Sequence, residues 1–144
     1  RVGRHHFLER IGMDKSKYDR YVVYVPRKSA ADAPFPFLTL MSDELVAGCG
    51  VDVTFNWVLN IPAMKSDKPM GHAHDYDELI INLGADPADP EDLGAEVVGF
   101  LGDEKHTLNR TSAVFIPRNV EHGVAAFNRL DRPYILMNIK LRNR

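Results

Sequence analysis

The 144 residues carry a formal net charge of −2, with 44% hydrophobic and 26% charged residues. That ordinary balance offers no electrostatic case for nucleic acid or an anionic membrane, and no apolar run approaches the ~20 residues of a membrane helix. The length suits a single domain, expected to span 1–144, with a core over about 37–141 and an N-terminal extension with an early strand at 1–36.

The chain opens on Arg1 rather than Met, so its natural start is expected upstream; the opening segment has no apolar core of a secretory signal. Phe7–Ile11 could form a helical turn before Gly12. His5 and His6 are adjacent and would face opposite ways on a strand, which reads as exposed histidines on a chain end. Tyr21–Val25 is rich in β-branched and aromatic residues, and Pro26 ends it, predicting a strand. Residues 27–36 read as loop. Phe37–Met41 is a second short strand, and Ser42–Glu44 a turn. Cys49, the single cysteine, excludes an internal disulfide, suits a reducing cytoplasm and reads as a small buried residue.

From Val51 to Ile61 the alternation is clean. Val51, Val53, Phe55, Trp57, Leu59 and Ile61 share one face; Asp52, Thr54, Asn56 and Asn60 share the other. The polar face is either solvated or lines a cavity, and parity alone does not choose. A proline-bearing loop over 62–70 leads to the segment Gly71 to Gly84, which holds His72, His74 and Glu78. On one strand these three would point to the same side, as two imidazoles and a carboxylate of a partial coordination shell. Asp75, Tyr76 and Asp77 lie between the ligands, on an expected exposed bend. The acidic, proline-kinked stretch after Gly84 lacks the spacing of a calcium loop and reads as surface.

Glu96–Leu101, a turn over 102–105 and a return strand opened by His106 form a hairpin, with His106 expected to be exposed. Ala113–Ile116 is a strand ended by Pro117. A turn over 117–122 then opens a strand on which His122, Val124, Ala126 and Asn128 share a face. Tyr134–Leu141 is a last strand, apolar at nearly every position, so both faces are expected to be covered. Many short strands between Pro, Gly and Asp turns, with almost no helical periodicity, argue an all-β sandwich or barrel.

Taken together, these residues resemble the cupin superfamily. His72, His74, Glu78 and Gly84 stand as in its first motif; Pro117 and His122 stand as in its second. Asn119 takes the place of a usual glycine there, a mild change because Asn tolerates a left-handed backbone. Thr111 and Ala126 depart from the motif's leading glycine and later asparagine. The resemblance covers roughly residues 51–141 and is closest to small single-domain cupins with an acidic insert between the motifs. It implies a double-stranded β-helix, the jelly-roll barrel, with a metal site at His72, His74, Glu78 and His122.

Such a His3Glu set leaves one or two positions open in a five- or six-coordinate shell, suiting one divalent transition-metal ion: Fe, Mn, Ni, Co, Cu or Zn. Glu78 leaves a divalent ion net positive, which attracts acidic or enolic ligands. Pocket or ligand-positioning candidates are Phe55, Trp57, Tyr76, Ile80, Asn82, Val124 and Asn128. The amides of Asn82 and Asn128 either orient a metal ligand or bond neighbouring backbone. The expected function is a metal-dependent enzyme acting on a small oxygen-rich metabolite by dioxygenase, isomerase, decarboxylase or lyase chemistry. The alternative is a module that binds a small ligand or the metal without turnover. Tyr76, His106 and Glu44 are the available acid–base groups. The expected assembly is a homodimer, through the early strands or the last one.

Overall fold

The computed structural model describes residues 17–24, 27–28, 37–62 and 70–142. Among these residues, ten strands follow a short 3-10 turn at Asp19–Tyr21. They are β1 (Arg27–Lys28), β2 (Leu38–Met41), β3 (Val51–Val58), β4 (Met70–His72), β5 (Asp77–Gly84), β6 (Asp92–Leu101), β7 (Glu104–Arg110), β8 (Ser112–Ile116), β9 (His122–Leu130) and β10 (Tyr134–Leu141). One sheet has the order β1-β2-β3-β10-β5-β8 and the other β4-β9-β6-β7. Every pairing is antiparallel. This is the expected all-β jelly roll.

In the larger sheet, register puts Tyr134 opposite Val58 and Gly84, and Lys140 opposite Asp52 and Glu78. Val58, Glu78, Asn82, Ile116 and Tyr134 are all buried, so even-numbered residues of β3, β5, β8 and β10 point into the barrel. The polar face of β3 is therefore the inner one. Asp52, Thr54 and Asn56 line a groove with Leu136, Asn138 and Lys140. Val51, Val53, Phe55 and Trp57 of β3 share the outer face, where Trp57 and Phe115 are 50% and 48% exposed. Phe55 lies on that face, opposite Met137 and Leu38. Phe55 and Trp57 are thus not pocket residues: alternation fixes which residues share a side, but not which side is inside.

The apolar core gathers at one end of the barrel, where Val58, Leu93, Ala95, Val97 and Tyr134 are packed by Val124, Phe127, Leu130 and Leu136. Gly84 closes β5 there because a Cβ would stand 2.1 Å from the Asp92 carbonyl oxygen. Its N–H donates to Thr111 Oγ1, which in turn donates to the Pro90 carbonyl. A hydroxyl thus does useful work where the second motif's leading glycine was absent.

Several elements depart from expectation. Tyr21 ends the 3-10 turn, and Val22 to Tyr24 join no strand among the described residues although Val22 is extended; high β-propensity needs a neighbouring strand to pack against. Arg27–Lys28, expected as loop, pairs with β2. β3 stops at Val58, leaving Leu59 and Ile61 exposed, and β6 begins at Asp92, four residues early. Cys49 is half-buried, its thiol donating to the Val51 carbonyl. Residues 5–12 and the loop over 63–69 lie outside the described residues.

Candidate metal centre

Three strands and one connection carry the four residues. β4 pairs with β9 so that His72 stands directly opposite His122, bringing their ring centroids to 4.4 Å. β4 ends at His72, so His74 is not on the same strand; it sits in the connection to β5, which then presents Glu78 inward. The turn before β9 is tied to that connection. Asn119 has φ 64°, the left-handed position glycine would otherwise fill, and its N–H donates to the His74 carbonyl at 2.6 Å. The Arg118 N–H donates to Asp77 Oδ1. The two motifs are thereby locked in register.

One ligand atom from each of His72, His74, Glu78 and His122 lies within 4.8 Å of the others. Glu78 and His122 are 3% and 2% exposed. Glu78 Oε2 is 2.9 Å from His74 Nε2 and 3.3 Å from His122 Nε2. Both rings are held from behind: His74 Nδ1 donates to the Tyr76 carbonyl and His122 Nδ1 to that of Val120, each at 2.9 Å. A ring whose Nδ1 carries the proton has a bare lone pair on Nε2. The Nε2 of His122 is buried and without a hydrogen-bond partner. Burial, then the neighbouring His122 and His74 rings, pushes the His72 imidazole below its usual pKa of 6.5, against the pull of Glu78. The cluster thus offers imidazole nitrogens beside a carboxyl group. Ligands about 2.1 Å from an ion and adjacent in its shell stand about 3 Å apart, so the donor set fits a metal ion.

Two further side chains hold the tetrad. The Tyr76 ring stacks on His74, centroids 3.9 Å apart and 6° from parallel, so Tyr76 positions that ligand through ring and carbonyl together. Asn138 Nδ2 donates to Glu78 Oε1 at 3.2 Å. Asn138 and Lys140 were not singled out from sequence, although they are two polar residues of one parity on an otherwise apolar strand.

The other candidates fall elsewhere. Asn82 points inward, but four residues from Glu78, about 13 Å along a strand. Its Nδ2 and the Oγ of Ser112, its register partner, are buried without hydrogen-bond partners. Ile80 points inward between them, and Val124 packs on the core. Asn128 is exposed and donates to Glu96 Oε1. Its expected inward parity is broken by two register shifts between β6 and β9, which turn Phe127 inward instead. His106 is exposed on β7, 3.5 Å from Glu104.

No family model matches the sequence, and no curated protein matches it. Solved structures do. An RmlC-like cupin from Shewanella frigidimarina superposes with a TM-score of 0.52 at 13% identity, covering 83% of this chain and 86% of that one. The chain has the cupin fold. KdgF from a Halomonas species shares this cupin barrel with a TM-score of 0.52 at 11% identity, over 82% of this chain and 89% of its own. AerE from Microcystis aeruginosa gives 0.55 at 15% identity, with 83% of this chain covering 47% of AerE. This chain spans about half of AerE's length.

Proposed function

We propose that this cupin is a metal-dependent enzyme that binds one divalent transition-metal ion through His72, His74, His122 and Glu78 and acts on a small oxygen-rich metabolite. The observation that carries the reading is the buried, partnerless Nε2 of His122, 3.3 Å from an equally buried carboxylate. Burying such an atom costs free energy unless something coordinates it. A bound ion would supply Lewis-acid polarisation of a substrate oxygen, or oxygen activation if it were iron. The chain's own residues do the rest. Carbonyls of Tyr76 and Val120 fix the two ring tautomers, Asn138 holds Glu78, and the barrel wall excludes bulk water from all but the His72 side, which is exposed. Dioxygenation, isomerisation, decarboxylation and lyase chemistry all fit this arrangement.

A ligand-binding module without turnover is favoured by one observation: the exposed position of His106 removes one of the three acid–base candidates. Tyr76 beside His74 and Glu44 on the groove remain. We also take the protein to be cytoplasmic and a homodimer through the outer apolar face around Trp57 and Phe115; no helix among the described residues is long and apolar enough to cross a membrane. Elemental analysis tests the metal assignment: protein from its native host should carry about one divalent ion per chain, and His74→Ala should lose most of it. Full retention in His74→Ala overturns the ligand assignment.

A further inference from the structure

We infer that the groove beside the tetrad takes a small hydroxy dicarboxylate, one end of which is held by Lys140; this rests on the metal reading above. The groove, about 460 Å³, runs along β10 on the inner face of the large sheet. Asn138, on its wall, also donates to Glu78, so the groove runs beside the tetrad. Lys140 stands in register between Glu78 and Asp52. Its ammonium lies 5.6 Å from the Tyr76 ring centroid, the ring that stacks on His74.

The two flanking carboxylates are already engaged. Glu78 belongs to the tetrad and Asn138, and Asp52 is paired with Arg142 at 2.6–2.7 Å. The Lys140 ammonium makes no hydrogen bond or ion pair among the described residues; it faces the Tyr76 ring, and its charge is also felt by the His72 ring. A half-buried ammonium left without an anion, beside a site that would itself be net positive, is a place for a second negative charge. Glu44, on the same groove, is exposed. The remaining wall offers hydroxyls and amides: Thr39, Ser42, Thr54 and Asn56. Those are partners for ligand hydroxyls rather than for an apolar chain. One carboxylate and an adjacent hydroxyl would take the open metal positions, and the second carboxylate would reach the ammonium.

The test uses full-length protein loaded with Mn2+, with malate as the dianionic probe and acetohydroxamic acid as an uncharged bidentate chelator. Mn2+ affinity is measured first, and probe binding then follows by calorimetry. Wild type should bind both probes. Lys140→Met should weaken malate about tenfold or more, leave acetohydroxamate and Mn2+ affinity within twofold, and be rescued by Lys140→Arg. Equal malate affinity in Lys140→Met overturns the inference, as does equal weakening of both probes, which would mark a damaged site. Wild type that binds Mn2+ and acetohydroxamate but not malate overturns it while leaving the metal reading intact; wild type that binds no ion overturns both.

Discussion

Replacing Glu78 by Gln should move two quantities in opposite directions. In metal-free protein at pH 8, the Nδ1 atoms of His74 and His122 donate to carbonyls, so their Nε2 lone pairs face Glu78 Oε2 at 2.9 and 3.3 Å. A carboxylate oxygen only accepts, so these contacts are unfavourable without a proton or a cation between them. A Gln amide changes the count. Its NH2 carries two hydrogens for the two ring nitrogens, and its oxygen still accepts from Asn138. At roughly 1 kcal/mol net per hydrogen bond, with a buried charge removed as well, metal-free protein should gain about 2 kcal/mol, roughly 4–8 °C in Tm. Metal affinity should fall by more than about 100-fold, because even residues that merely orient a ligand cost 10–100-fold when lost. Thermal unfolding in chelator gives the first quantity and competition with a fluorescent metal indicator the second. A lower metal-free Tm with unchanged metal affinity would refute the reasoning, since it would make Glu78 the counter-ion of a protonated histidine.

Gly84→Ala places a Cβ 2.1 Å from the Asp92 carbonyl oxygen and severs the link through Thr111 to Pro90, so urea denaturation should show a loss of at least about 2–3 kcal/mol. Burial pushes the Tyr134 phenol from 10.0 up to about 12. The unfolded chain therefore ionises first, and stability present below pH 10 should be lost progressively as pH rises towards 12; urea midpoints should show this slope in wild type and less of it in Tyr134→Phe. Trp57→Lys on the outer face should shift wild-type dimer to monomer in light scattering. A wild type that is monomeric at tens of micromolar would refute that assembly.

The tetrad could be read in the sequence because ligand chemistry is local: two imidazoles, a carboxylate and a third imidazole before a strand carry their own spacing. Strand existence was legible for β2, β3 and β5 to β10 for the same reason, through alternation and turn residues, whereas the short β4 was not separated from β5. What alternation does not carry is the sign of a face. β3 has its apolar side outward, because the barrel interior beside the tetrad is polar, and Phe55 and Trp57 go with it. Asn128 was misplaced by register shifts that leave no mark in composition. Tyr21–Val25 has the residues of a strand, yet its described part, Tyr21 to Tyr24, joins no strand among the described residues. Asn138 and Lys140 were hidden by their apolar neighbours, which face the other way.

Along β10, Lys140 lies six positions after Tyr134, about 20 Å of strand. The first sits in the tight cluster of Leu93, Ala95 and Val97; the second stands among ionisable and amide side chains. Cohesion and chemistry are thus divided between opposite ends of a single β-strand. Inner-face positions near Lys140 can change identity without loosening the foundation at Tyr134, so such a barrel can acquire a different substrate while remaining the same folded object.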